Sequence, residues 1–287
     1  MAQTDYETEY NNRGRVPGYQ QIFDRWERDA AAYRDTMKPK GAELDIPYGA
    51  SARQTYDYFP GNDPHPGAAL AVFIHGGWWR SLDKKMHSWA ARGMNAHGIS
   101  VALTGYDLCP NCTIADIITQ TRNAMLALWR RHKKRMLVVG HSAGGHLAAC
   151  MAATEWHSVS KEPPTDLVPF GYSISGVFDL MPLLHVSQNA DLRLDEKSAK
   201  AVSPLTWKLP PQRSLDAVVG GDESREFIRQ SQLIADDWAK KGAVTRFEEL
   251  AGANHYTVID PLADPASAMT ARVVKLAERV NAMALGG

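Results

Sequence analysis

Residues 137–151, LVVGHSAGGHLAACM, run apolar up to Gly140, break at His141-Ser142-Ala143, and resume as a stretch of small residues. A buried strand ending at Gly140 and a helix starting at Ala143 are predicted on either side of the break. Gly-x-Ser-x-Gly between a strand and a helix is a turn so sharp that the serine hydroxyl stands clear of the sheet, and Cβ atoms at the two glycines would collide. The helix start also offers free N–H groups and a positive dipole end to a developing oxyanion. A serine that only caps a helix fits the same residues, so the rest of the chain must supply its partners.

From residue 42 onward, short β-rich runs alternate with longer helical stretches, the pattern of a mostly parallel sheet covered on both faces. Strands are predicted near 42–47, 53–59, 69–74, 99–104, 136–140, 168–174, 215–219 and 244–250, and helices near 84–97, 114–133, 143–154, 223–241 and 265–284. The short YGASA turn between the first two strands predicts that they pair antiparallel. The fold class is therefore α/β with an eight-stranded sheet, read as a single domain over residues 1–287. Two segments fall outside the alternation. Tyr19, Ile22, Phe23, Trp26, Ala30 and Tyr33 recur at helical spacing, so residues 1–40 form an arm whose amphipathic helix packs on the body, over the pocket or in a dimer contact. Residues 176–212 are too long for a simple connection and are read as a small cap-like insertion.

The 32 basic residues balance 32 acidic ones, which gives no general pull toward nucleic acid or an anionic membrane. The partner is expected to be a small molecule. The polar, acid-bearing start MAQTDYETEYNNRGR lacks the pattern of a secretory signal, and no run approaches the roughly 20 apolar residues of a membrane span. A cytoplasmic location is expected. Cys109 and Cys112 in CPNC have no second pair, and no Gly-x-Gly-x-x-Gly or Walker loop occurs. Neither a metal nor another cofactor is expected.

The strand AVFI is followed by His75-Gly76-Gly77-Trp78. Consecutive glycines let the backbone approach a reacting carbonyl, so the Gly76–Trp78 turn is the candidate oxyanion hole, with the N–H groups of Gly77 and Trp78 joined by that of Ala143. A serine nucleophile needs a base, and the base an orienting acid. In enzymes with this elbow the acid and then the histidine follow along the chain. Asp222, after the strand LDAVVG, and His255, after TRFEEL, stand at the ends of core strands in that order. Asp179 is the alternative acid, with ordering of the cap loop as its other role. Trp78, Trp79, Tyr106, Phe178 and Tyr256 lie beside strand ends, where they wall an aromatic pocket or simply pack the loops.

The chain resembles the α/β-hydrolase superfamily, and within it the kynurenine formamidase group related to hormone-sensitive lipase. The resemblance is carried by EYNNRGRVP, HGGWW, GYDLCP, GHSAGGHLAA, SGVFDLMPL, SPL, GGDESREFIRQS and NHYTVID, which span nearly the whole chain. It implies Ser142 as nucleophile, Asp222 as acid and His255 as base. It also implies a cofactor-free amidase acting through an acyl-enzyme on an N-formyl arylamine such as N-formylkynurenine, and a homodimer. A narrow acyl site is expected, since a formyl group needs little room. A short-chain carboxylesterase with the same triad is the alternative enzyme, and a non-catalytic binding protein on the same fold the alternative of another class.

Overall fold

The computed structural model describes residues 4–62 and 69–285. Its centre is an eight-stranded sheet in the order β1-β2-β4-β3-β5-β6-β7-β8. The strands are β1 (Glu43–Pro47), β2 (Thr55–Phe59), β3 (Leu70–Ile74), β4 (Ser100–Thr104), β5 (Met136–His141), β6 (Phe170–Ile174), β7 (Ser214–Gly220) and β8 (Val244–Leu250). All eight predicted strands are present, and β1 and β2 pair antiparallel as the short turn between them predicts. β2 also runs antiparallel to β4, and every remaining neighbour pair is parallel.

Burial explains which strands are central. β3, β4, β5, β6 and β7 are buried at every residue, whereas the edge strands β1 and β8 alternate toward solvent. Parallel strands covered on both faces read as unbroken apolar runs for this reason. Side chains still obey the period of two: Leu70, Val72 and Ile74 enter the core on one face, Ala71 and Phe73 the core on the other.

The helices obey local rules. Thr113 and Asp116 form a reciprocal capping box at the start of helix Ile114–His132, which ends with Arg130, Arg131 and His132 in its last turn and Lys133 left-handed at φ 53°. The predicted helix at 84–97 is instead a 3₁₀ segment, Lys84–Ala91, followed by a single α-helical turn, Arg92–Ala96. There Asp83 caps the first turn, and the Lys84 ammonium turns inward to Asp57 of β2 at 2.5 Å.

The arm holds two short helices, α1 (Tyr6–Tyr10) and α2 (Asn12–Arg15), before the long predicted one, α3 (Tyr19–Met37). Phe23, Trp26, Ala30, Tyr33 and Met37 make up the buried face of α3, a spacing of three and four residues that forms one stripe. An Arg25–Asp260 ion pair at 2.7 Å and a Tyr33 hydroxyl donating to Asn95 at 2.6 Å hold α3 to the body. Residues 176–212 fold as short helical turns: Met181–His185, Asn189–Leu192, Glu196–Ala201 and Pro204–Thr206.

Candidate active site

Strand β5 runs into helix Ala143–Ala152 through Ser142, which is held at φ 56°, ψ −119°. A residue with a side chain rarely adopts such a backbone, and it persists here because the surroundings leave no room for another. A Cβ on Gly140 would lie 2.0 Å from the carbonyl oxygen of Gly144, and one on Gly144 would lie 2.0 Å from that of Ile74. The Ser142 N–H donates to Ile174 of the neighbouring strand at 2.8 Å, which locks the turn to the sheet.

His255 follows β8 and meets the serine, its Nε2 lying 3.1 Å from Ser142 Oγ. Its Nδ1 lies 2.5 Å from Oε2 of Glu223, a side chain with no exposed surface. The other Glu223 oxygen accepts from the Gly220 N–H at 2.7 Å and from the Ser175 hydroxyl. The Phe227 ring packs on the imidazole, centroids 4.4 Å apart. The expected acid, Asp222, does not meet His255, and the carboxylate that does belongs to the next residue. The Asp222 N–H donates to the Ala253 carbonyl at 3.0 Å while its side chain is exposed to solvent. The Gly220–Glu223 turn turns inward only at its fourth residue, where the Glu223 N–H returns to the Gly220 carbonyl at 3.1 Å. The sequence signal for Glu223 is the adjacency of two acids after β7, Asp222-Glu223.

The glycine loop is backed by buried rings. Tyr106 donates to the His75 carbonyl at 2.8 Å and stacks on the His75 ring at 4.4 Å, and His75 Nδ1 donates to the Gly76 carbonyl at 2.7 Å. Burial, reinforced by the nearby His87, lowers the His75 pKa to about 3, and burial alone leads in lowering that of His87 to about 4. His141 lies well below the usual histidine range through burial and then the neighbouring His255, to whose carbonyl its Nε2 donates at 2.7 Å. These rings are therefore neutral supports. Gly77, Trp78 and Trp79 all have positive φ, at 106°, 55° and 52°. Among the described residues, the N–H groups of Gly76, Gly77, Trp78 and Ala143 donate to no protein acceptor. Gly77 and Trp78 line the same cavity as Ser142.

That cavity, about 500 Å³, holds Ser142 and His255 and is walled by Trp78, Tyr256, Phe23 and Trp26. Tyr256, mostly buried, has its hydroxyl pKa pushed up to about 12 by that burial. Three expected wall residues are elsewhere. Trp79 is fully buried with its ring edge-on to His146, Tyr106 lies beneath the glycine loop, and Phe178 packs with Ile234 and Trp238. A position next to a strand end does not decide which way a ring turns, and in these three cases the core claims it. In their place the arm supplies Asn11, Asn12 and Arg13, and the segment after β6 supplies Gln188 and Asp191. Asp179 orders its own loop by accepting from the Met181 N–H at 3.1 Å.

A family model described as the alpha/beta hydrolase fold matches residues 71–283. The chain belongs to this family. Kynurenine formamidase of Danio rerio is 27% identical over 240 residues, covering 81% of each chain, and that of Drosophila melanogaster is 28% identical over 243 residues, covering 80% of each. A crystal structure from Silicibacter sp., carrying a provisional thioesterase name, superposes with a TM-score of 0.84 at 31% identity over 95% of this chain and all of that one. A thermostable carboxylesterase from a metagenomic library shares the fold at a TM-score of 0.70 and 18% identity, over 92% of this chain and 95% of its own. This hydrolase, an enzyme acting on amide or ester bonds, has no helix among the described residues long and apolar enough to cross a membrane. Among those residues there is also no cluster of three or more His, Cys, Asp or Glu suited to a metal ion.

Proposed function

We propose that this chain is a serine hydrolase that removes the acyl group from an N-formyl aryl amide through an acyl-enzyme, with Ser142 as nucleophile, His255 as base and Glu223 as the orienting acid. The observation that carries the mechanism is the unbroken chain from Ser142 Oγ to His255 at 3.1 Å and from His255 to Glu223 at 2.5 Å at the wall of one cavity. Support for the substrate class comes from the formamidases, matched over four fifths of both chains, and from the aromatic walls.

In this scheme His255 Nε2 takes the Ser142 proton as the hydroxyl oxygen bonds to the formyl carbon. The carbonyl oxygen becomes an oxyanion that accepts from the N–H groups of Gly77, Trp78 and Ala143, and each such donor is worth about 10²–10³ in rate. Glu223 holds the Nδ1–H tautomer and stabilises the imidazolium. Collapse breaks the C–N bond as His255 protonates the leaving aryl nitrogen. Water, deprotonated by the same imidazole, then releases formate and restores the serine. A second reading, ester or thioester hydrolysis by the same residues, is favoured by the name of the Silicibacter protein.

Steady-state kinetics on N-formylkynurenine beside p-nitrophenyl acetate separates the readings. The formamidase reading expects kcat/KM on N-formylkynurenine of about 10⁴–10⁸ M⁻¹s⁻¹, falling about 10⁴-fold or more in Ser142→Ala. Turnover confined to the acetate ester removes the formamide reading, and undiminished turnover in the variant removes the nucleophile.

A further inference from the structure

The polar wall that the arm brings to the cavity is unexplained by the chemistry of acyl transfer. Asn12 is 5% exposed, and among the described residues its carboxamide makes no hydrogen bond. The carboxamide is not sealed off behind the wall, so a molecule in the cavity can reach it. Next to it stands Arg13, an exposed residue at the cavity wall whose guanidinium lies 5.3 Å from the Tyr19 ring centroid and beside the Tyr256 hydroxyl, and which among the described residues has no carboxylate within ion-pair distance. Charge in the cavity is not balanced. Asp191 is the acidic residue lining it, and Arg80 already pairs with that side chain at 2.6 Å. Glu223 is closed off behind His255. The Arg13 guanidinium and the Asn12 carboxamide line the cavity from α2 and not from the sheet.

We infer that Asn12 and Arg13 form a carboxylate-recognition site, so that the preferred substrates carry an acid group on the part of the molecule remote from the scissile carbonyl. The guanidinium offers charge and paired N–H donors, and the carboxamide a further N–H to the same group. This rests on the hydrolase reading of the cavity and narrows it to acid-bearing substrates. Because Arg13 is partly solvated, its contribution falls with added salt.

The test is a ratio. The wild-type enzyme is assayed on N-formylkynurenine and its methyl ester, with the ester group of the latter left intact, and separately on 4-acetoxybenzoate and methyl 4-acetoxybenzoate. A charged hydrogen bond predicts kcat/KM about tenfold or more in favour of the acid in low salt. Arg13→Gln should bring the ratio close to one, and Asn12→Asp, which sets a carboxylate against the substrate's own, should bring it below one. Arg15→Gln, on the same helix but outside the cavity lining, should leave the ratio high. An acid preference near one in the wild type, or one that survives Arg13→Gln, overturns the proposal. Should only the acetoxy pair be cleaved, the formamide reading fails while the acid preference is still read on that pair.

Discussion

The two walls of the cavity are built by different means. On the proposed reading the reacting side is assembled from strand ends: Ser142 after β5, Glu223 after β7 and His255 after β8, all three buried. The recognition side is assembled from α1, α2 and the turns after β6, and it is held by a small number of side-chain bonds. Tyr10 donates to Glu226 at 3.1 Å and accepts from Gln230 at 3.0 Å, while Gln230 also takes the N–H groups of Phe178 and Asp179, both at 2.9 Å. One glutamine thus joins arm, insertion and body. The lesson is that a rigid sheet edge fixes reacting atoms to a fraction of an ångström, whereas specificity is entrusted to segments free to vary around it.

The sharpest way to break this contrast is at Glu223 and Asp222, neighbours in sequence on opposite sides of the solvent boundary. Glu223→Gln keeps the shape but donates toward His255 Nδ1 and favours the wrong tautomer, so kcat should fall about 10³–10⁴-fold. Asp222→Asn, at an exposed position, should stay within about twofold. Kinetics of the pair on any turned-over substrate decides. A large loss at Asp222 with little at Glu223 would return the acid to the residue first expected.

A second measurement asks whether the reacting side is as rigid as its buried rings imply. His75, His87, His141 and His146 are all held neutral by burial, the first two titrating near 3 and 4. A folded-state pKa below the ordinary 6.5 means that the unfolded chain binds more protons between the two values. The stability these rings contribute is complete above about pH 6.5 and is lost as pH falls toward 4, at up to roughly 1.4 kcal/mol per pH unit for each ring. Urea unfolding should therefore show a markedly less stable protein at pH 5 than at pH 7, and His87→Gln should remove one ring's share of that slope. Equal stability at the two pH values would mean that the rings are hydrated and the loop above them is not rigidly backed.

What the sequence made legible follows the same division. Strands β3 to β7 were readable because covering both faces leaves unbroken apolar runs, and Ser142 because the close approaches at Gly140 and Gly144 demand glycine in a fixed pattern. His255 followed from chain order and strand ends. The carboxylate that meets His255 lies one position beyond the expected one, since the side of a turn on which a carboxylate emerges depends on the returning hydrogen bond of Glu223 to Gly220, which spacing does not encode. Trp79, Tyr106 and Phe178 were misplaced for a related reason: an aromatic ring near a site gains more from full burial than from lining a cavity. Asn12 and Arg13 lie in EYNNRGRVP, one of the stretches that carry the family resemblance, but nothing in that stretch places them at the cavity. They reach the cavity only because α3, 19 residues long, docks its apolar stripe across the body and brings the chain before it over the serine.

The smallest effect tests the recognition side alone. Removing the Tyr10 hydroxyl leaves Glu226 with its two bonds from Arg229, both at 2.8 Å, and Gln230 with the Asp179 carbonyl at 2.8 Å, so neither partner is stranded. Tyr10→Phe should therefore cost only about 1 kcal/mol. The lost bond ties α1 to the body two residues before Asn12, so the cost should fall on positioning the arm and not on the serine. Expressed in binding, 1 kcal/mol is about a fivefold rise in KM at constant kcat. A fall in kcat at constant KM would show instead that the arm reaches the reacting atoms, and the division between the two walls would then be drawn in the wrong place.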